Sequence, residues 1–332
     1  MTTYALNGLG RIGKLALQAL IERGITPLWI NDAVGDAEMH AHLLEFDTVH
    51  GRWGANIGAR DGAISINSKE IPLHNTKELA DLPLDGVDVV LDCTGVFKTE
   101  GKLAPYFDAG VKKVVVSAPV KDGPTANIVF GVNNDVYDPQ QHNIITAASC
   151  TTNCIAPVVK VLHESIGINH GSITTIHDVT NTQTIVDRPA KDLRRARSAL
   201  NSLIPTTTGS ATAITLIYPD LKGKLNGHAV RVPLLNASLT DCVFELKRET
   251  TTEEVNALFE KAAHGPLEGI LGYETRPLVS ADFTNDRRSG IVDAPSTMVV
   301  NGTQVKVYVW YDNEMGYAHR FVDVAEMVGK SL

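Results

Sequence analysis

The chain of 332 residues is 43% hydrophobic and 20% charged, carries a formal charge of −8 and holds four cysteines. That length divides into two domains of ordinary size, and the composition excludes disordered and collagen-like proteins. The acidic balance argues against nucleic acid or an anionic membrane as partner, and no run approaches the ~18 apolar residues that span a bilayer. Sparse cysteines make no disulfide framework and suit a reducing compartment. The first residues enter a strand-like run directly, with no apolar leader, so a cytoplasmic location is expected.

Residues 3–6 read as a short strand that runs into Asn7-Gly8-Leu9-Gly10-Arg11-Ile12-Gly13. Ile12, Leu15, Ala16, Ala19 and Leu20 then recur at helical spacing, and Gly24 supplies a stop. A second strand is expected at residues 28–30, ending at Asn31-Asp32, and further strands at 87–91, 114–117, 128–130 and 144–147. Short buried strands alternating with helical segments predict a mostly parallel, doubly wound α/β sheet of the Rossmann type. The texture changes at Cys150. Residues 151–166 have helical spacing, whereas 172–176, 229–233, 238–246 and 304–311 are β-branched and partly alternating, as in a mixed or antiparallel sheet of an α+β domain. Residues 253–262 read as a helix with threonines at 250–252 as caps, and 316–328 as a final amphipathic helix.

A lone Gly-x-Gly-x-x-Gly is a weak signal. Here it follows a strand, opens a helix and precedes an acidic residue about twenty positions on, which is the dinucleotide-binding context. Gly8 allows the tight turn, Gly10 the approach of a pyrophosphate and Gly13 close helix–strand packing, with Arg11 and Ile12 at the helix N-terminus that faces the diphosphate. Asp32 ends the second strand, where a carboxylate accepts both ribose hydroxyls and repels a 2′-phosphate, favouring NAD over NADP. The competing interpretation is a glycine turn of any α/β protein with Asp32 as a plain cap.

Cys150 sits where a strand-like run gives way to a helix, and a helix N-terminus stabilises a thiolate. His177, at the end of the next strand, is placed to form a thiolate–imidazolium pair with it. Inert packing is the alternative for any cysteine, and Cys93, Cys154 and Cys242 keep that interpretation. Arg194-Arg195-Ala196-Arg197 is a basic cluster in an acidic chain, followed by Thr206-Thr207-Thr208-Gly209 and later Arg231. It is either a solvated loop or an anion site in which guanidinium forks and hydroxyl donors meet phosphate oxygens. His40, His42 and His50 have no metal-site spacing, and no metal is expected.

Ser149-Cys150-Thr151-Thr152-Asn153-Cys154 resembles the phosphorylating glyceraldehyde-3-phosphate dehydrogenase family. The resemblance extends over the glycine loop, Ser117-Ala118-Pro119, Asp192-Leu193-Arg194-Arg195-Ala196-Arg197, Ile204-Pro205-Thr206-Thr207-Thr208-Gly209, Arg231-Val232-Pro233 and Trp310-Tyr311-Asp312-Asn313-Glu314, and so over essentially the whole chain. It implies Cys150 as nucleophile and His177 as base, with NAD as the cofactor. Glyceraldehyde 3-phosphate is the implied substrate, passing through a thioester that an oxyanion cleaves. By the same resemblance Thr180 and Arg231 hold the substrate phosphate. Ser149, Thr151, Thr208 and Gly209 hold the attacking oxyanion, with Arg195 near both. Asn313, Ser117 and Lys77 line the cofactor cleft. The implied domains are 1–149 with 313–332 for NAD, discontinuous in sequence, and 150–312 for catalysis. The implied assembly is a homotetramer in which a loop from about 180 to 201 reaches a neighbour's cofactor.

Several positions depart from the usual family pattern. Ala147 replaces an asparagine, and Asp178-Val179-Thr180-Asn181-Thr182 replaces a small residue, Tyr, Thr and a later Asp. Met315 and His319 replace Trp and Asn, and Arg188 and Ala33 replace leucines. With His50-Gly51-Arg52-Trp53, these changes resemble the arsenic-resistance branch associated with the organoarsenical efflux permease ArsJ. There arsenate replaces phosphate and 1-arseno-3-phosphoglycerate is the exported product. The alternatives are an ordinary glycolytic or gluconeogenic enzyme giving 1,3-bisphosphoglycerate, an erythrose-4-phosphate dehydrogenase, and a non-catalytic NAD-binding redox sensor built on Cys150.

Overall fold

The computed structural model describes residues 2–332, which form two compact units: residues 2–149 with 317–332, and residues 150–316. In the first unit, β1 (Tyr4–Asn7) leads into α1 (Arg11–Glu22), followed by β2 (Ile30–Asn31), α2 (Ala37–Glu45) and the small pair β3 (Phe46–Asp47) and β4 (Gly51–Arg52). Then come β5 (Ile57–Arg60), β6 (Ala63–Ile66), β7 (Lys69–His74), β8 (Val89–Asp92), α3 (Glu100–Asp108), β9 (Lys113–Val116), β10 (Thr125–Asn127) and β11 (Ile144–Thr146). The sheet order is β10-β11-β9-β8-β1-β2-β7-β6-β5. All pairs from β10 to β7 are parallel, and β7, β6 and β5 close one edge as an antiparallel meander. This is the doubly wound sheet expected from the alternation of elements.

Two local expectations fail. The strand expected at 128–130 lies instead at Thr125–Asn127, where Ala126 is buried beside Ile145. Val129 is buried too, but in a turn whose backbone N–H is taken by the Asn133 side chain. Of residues 28–30 only Ile30 falls within β2, although the Leu28 N–H and the Trp29 carbonyl already bond to the backbone of β1; Trp29 is buried in the core and donates from its indole to the Pro83 carbonyl at 2.8 Å. The meander was not foreseen from the sequence.

A buried polar chain ties the carboxyl ends of the central strands together. Asn31 donates to Asn7 at 2.7 Å, Asn7 to the Tyr106 hydroxyl at 2.7 Å, and Tyr106 to Asp92 at 2.9 Å. Burial pushes the Asp92 carboxyl up to about 6 against the opposing hydrogen bonds from Thr94 and Tyr106. The final helix closes on α1 within this unit through Arg23, which pairs with Asp323 at 2.7 Å and Glu326 at 3.5 Å.

The second unit contains α4 (Cys150–Ser165), β12 (Ile168–His177), β13 (Ile204–Thr207), α5 (Ser210–Ile217), β14 (Leu225–Arg231) and β15 (Ser238–Leu246). α6 (Thr252–Ala263), β16 (Leu271–Glu274), β17 (Gly290–Asp293), β18 (Met298–Val300) and β19 (Gln304–Tyr311) follow, and α7 (Met315–Gly329) begins here and continues into the first unit. The sheet order is β13-β14-β12-β15-β19-β17-β16, with β18 also on β19. It is mixed: β12 runs parallel to β14 and antiparallel to β15, and β15 antiparallel to β19. β15 buries every second residue, and its Cys242, Phe244 and Leu246 face the core. Each such side chain contributes about 1.5–3 kcal/mol of apolar burial. α4 packs across β12, β15, β17 and β19, and its Cys154 thiol sits 3.6 Å from the Thr240 hydroxyl. Thr251 caps α6 by accepting from the Glu254 backbone N–H.

Candidate active site

Strand register gathers the reactive groups at one end of the second unit's sheet. β12 ends on His177, which is paired across the parallel ladder with Arg231, the last residue of β14. Ile176 pairs with Leu239, so Ser238, the first residue of β15, lies beside the end of β12, and Ser238 pairs in turn with Tyr311, the last residue of β19. Cys150 opens α4, and its Sγ lies 3.7 Å from His177 Nε2. Tyr311, fully buried, joins the Thr151 and Thr175 hydroxyls at 2.9 and 2.8 Å and meets the His177 ring edge-on at 5.9 Å.

The electrostatics favour an ion pair. Burial alone would raise the Cys150 thiol, but the hydrogen bond and charge of His177 outweigh it and the net direction is down. For His177, burial would disfavour the imidazolium, but the Asp178 and Cys150 interactions overcome it and push the group up to about 9. Asp178 was noted in the sequence only as a departure, yet its Oδ1 lies 2.6 Å from His177 Nδ1. Cys93, Cys154 and Cys242 are driven the other way by burial, which fits packed thiols.

Of the residues expected to hold anions, Thr151, Thr180, Arg195, Thr208, Gly209 and Arg231 all belong to the second unit. Arg231 donates from Nη1 to the Asp178 carbonyl at 2.9 Å, while its Nε is buried without a protein partner. The positive charge of Arg195 is felt at Arg231, and Arg195 donates to the Thr206 hydroxyl at 3.0 Å. Thr180 closes a turn on Gln183, donating its backbone N–H to the Gln183 Oε1 at 2.9 Å; the Gln183 amide nitrogen is buried and unpartnered. Gly209 is the N-cap of α5 with no side-chain cap, and Thr208 accepts from the Ser210 N–H. The buried, unpaired donors on Arg231 and Gln183 suit a tetrahedral oxyanion. Asn313 is buried and accepts from Ser238 at 3.4 Å. Ser149 is half-buried at the end of the first unit.

In the first unit the glycine loop has the geometry of a dinucleotide cradle. Gly8 has φ +98°, and a Cβ there would lie 2.7 Å from the Thr94 nitrogen. A Cβ on Gly13 would come 1.8 Å from the Gly8 carbonyl oxygen, whereas one on Gly10 would meet nothing within 4 Å. α1 begins after Gly10 with no side-chain cap, and its N-terminal end is the positive end of the helix dipole. Asp32 accepts from the Leu9 and Val34 backbone N–H groups at 2.8 and 3.0 Å, which fixes its carboxylate against the loop. Arg11 and Ile12 are half-buried in the first turn of α1, with the Arg11 guanidinium paired to Asp47, whose carboxyl is held at about 2. Burial would raise that carboxyl; Arg11 and the His50 and Val49 backbone N–H groups lower it. Ser117 follows β9, donating its N–H to the Asp92 carbonyl, and Lys77 is exposed after β7.

The two alanine substitutions in this loop are expected to separate. Gly13→Ala overpacks the helix–strand contact and is expected to cost about 1–3 kcal/mol in urea unfolding. Gly10→Ala meets no protein atom and is expected to leave stability nearly unchanged while weakening NAD binding at least tenfold by calorimetry, because its methyl occupies the approach of the pyrophosphate.

A Rossmann-type unit with an open glycine loop, and a second unit with an activated thiol beside an imidazole, define a nucleotide-dependent oxidoreductase. Comparison with known proteins makes this specific. Residues 2–100 match the glyceraldehyde 3-phosphate dehydrogenase NAD-binding domain, and residues 149–313 match the C-terminal domain of the same enzyme. The chain is 58% identical over 331 residues to glyceraldehyde-3-phosphate dehydrogenase 3 of Nostoc sp., covering 98% of each chain. It is 49% identical over 336 residues to glyceraldehyde-3-phosphate dehydrogenase 1 of Bacillus cereus, covering all of both, and 49% over 326 residues to the Geobacillus stearothermophilus enzyme, covering 97% of each. The chain belongs to the glyceraldehyde-3-phosphate dehydrogenase family: it is an oxidoreductase whose cofactor is NAD.

Proposed function

We propose that the chain oxidises glyceraldehyde 3-phosphate through a Cys150 thioester and passes the acyl group to phosphate or arsenate, serving an arsenate-detoxification branch. The observation that carries the covalent step is the 3.7 Å approach of Cys150 Sγ to His177 Nε2. The thiolate attacks the aldehyde carbon, and the carbonyl oxygen takes the proton of the imidazolium. NAD, when bound, supplies the hydride acceptor. As the hydride leaves the carbon, His177 takes the hydroxyl proton back and the C–O double bond re-forms as a thioester. The oxyanion then attacks the acyl carbon and the Cys150 thiolate departs, still facing the imidazolium. Thr180 and Arg231 hold the substrate's phosphate, and Ser149, Thr151, Thr208 and Gly209 the attacking oxyanion, with Arg195 serving both. Lys77, Ser117 and Asn313 line the cofactor site. Residues 1–149 with 313–332 bind the nucleotide, and 150–312 carry the chemistry.

Arsenate has the shape and charge of phosphate at slightly larger size, so donors such as Thr208, Gly209 and Arg195 hold either ion. The arsenate assignment is supported by the departures at Ala147, Asp178, Arg188, Met315 and His319. It places the protein in the cytoplasm, in functional partnership with an organoarsenical efflux permease. NADH formation from glyceraldehyde 3-phosphate, with phosphate and arsenate supplied separately, tests it. A higher kcat/KM with arsenate is expected; equal values return the protein to the ordinary glycolytic or gluconeogenic reading.

Two subsidiary assignments go with this function. Ile185, Val186, Leu193, Leu200 and Leu203 are all exposed on the segment from 180 to 203, which supports a homotetramer built on that loop. Asp32 supports NAD as the preferred cofactor, with Arg188 allowing some use of NADP. Light scattering and turnover with each cofactor check these. Among the described residues, no helix is long and apolar enough to cross a membrane.

A further inference from the structure

The carboxylate of Asp178 stands directly against the His177 ring, at a position where the sequence departs from the usual family pattern. It is fully buried, its Oδ2 has no partner, and its Oδ1 takes the 2.6 Å contact with His177 Nδ1 and a 3.2 Å hydrogen bond donated by Ser238. A buried carboxylate with one oxygen unsatisfied destabilises a fold unless its charge is used. On the other side, Arg231 Nη1 lies 2.8 Å from the same Nδ1. The Asp178 carbonyl oxygen, at 2.9 Å, and the Ser238 hydroxyl, at 3.3 Å, also reach Nδ1. The carboxylate and the carbonyl require Nδ1 to carry a proton, and the guanidinium requires it to be bare.

We propose that Asp178 is a positioning residue that wins this competition, holding the proton on His177 Nδ1 so that Nε2 faces the Cys150 sulfur as a proton acceptor. Without it, the Asp178 carbonyl is left to compete alone with Arg231 for Nδ1, the neutral ring shifts towards carrying its proton on Nε2, and the imidazole accepts the hydroxyl proton of the adduct less often. Its charge also balances the imidazolium. The charged and titratable groups around the ring are Cys150 on α4, Asp178 at the end of β12, Arg231 on β14 and Tyr311 on β19. Glu314 adds its charge at Asp178, and Arg195 adds its charge at Arg231. Of these only Asp178 brings a full negative charge into contact with Nδ1. Its net action favours the imidazolium form, since the ring is its direct partner and the sulfur lies beyond it.

The inference rests on the Cys150–His177 mechanism proposed above, and its test reads the pair independently of turnover. Asp178→Asn and Asp178→Ser are compared with the unmodified chain by the rate of Cys150 alkylation with iodoacetamide from pH 5 to 10, by steady-state kinetics and by thermal unfolding. The expected result is a downward move of at least one pH unit in the upper step of the alkylation profile, where the imidazolium loses its proton. A kcat lower by about 10- to 100-fold is expected, with the KM for glyceraldehyde 3-phosphate within threefold. The melting temperature is expected to be unchanged or raised, because an unsatisfied buried charge has gone. If one variant does not fold, the other carries the comparison. An unshifted alkylation profile in a folded variant overturns the inference, as does a fall in kcat accompanied by an equal loss of stability. A profile lacking any thiolate step in the unmodified chain would instead count against the underlying mechanism.

Discussion

Replacing Cys150 with serine is expected to reduce NADH formation from glyceraldehyde 3-phosphate by at least about 10⁴-fold while leaving NAD affinity within threefold. The site lowers the thiol by pairing it with His177. A serine hydroxyl is so much weaker an acid that the same imidazole cannot hold it ionised, and the covalent adduct does not form. The glycine loop and Asp32 lie in the first unit and keep their hydrogen bonds, so nucleotide binding survives. Absorbance at 340 nm reads the first quantity and calorimetric titration with NAD the second. Activity above about one per cent of the original in the serine variant would sink the mechanism, because no second thiol of the site is ionisable: Cys154 is buried and its thiol is pushed up by desolvation.

The other large effect belongs to His177. His177→Asn is expected to lower kcat by about 10²- to 10⁴-fold, because it removes both the counter-ion of the thiolate and the acceptor of the adduct's proton. Alkylation of Cys150 at pH 7 should slow by at least tenfold in the same variant, which separates loss of the ion pair from loss of the later proton transfer. The two residues act as one unit, so the Cys150→Ser, His177→Asn double variant is expected to be no slower than Cys150→Ser alone. A further hundredfold fall in the double variant would mean that His177 does something independent of the sulfur.

The parts of the fold visible in the sequence are those dictated by short-range periodicity. α4 and the two long strands β15 and β19 show their burial pattern directly in the spacing of apolar residues. The glycine loop is legible because each glycine has a separate steric reason, seen in the positive φ of Gly8 and the contact a side chain on Gly13 would make. The β5–β7 meander is not: Ile64, Ile66, Ile71 and Leu73 alternate into the core, but the runs are only four to six residues long and are reversed at Asn67-Ser68. The site is legible in Cys150 and Arg231 by residue type, but Asp178 is not. Neighbouring residues in an extended strand point to opposite faces, so the sequence argues against contact between positions 177 and 178. The strand ends at His177, and the release from pleated geometry lets the next carboxylate fold back onto the ring. Ser238 and Tyr311 escape notice for another reason: they meet His177 only through ladders between strands far apart in the chain.

The pairing of His177 with Arg231 across β12 and β14 turns catalysis into a gauge of correct assembly. A slip of one residue between these strands would carry the imidazole to the opposite surface of the sheet, away from the sulfur, and would turn Ile173 and Thr175, buried on the same face, outward with it. Such a molecule would be inert and poorly covered. Specific activity after refolding therefore counts chains in the true alignment, which circular dichroism alone cannot distinguish.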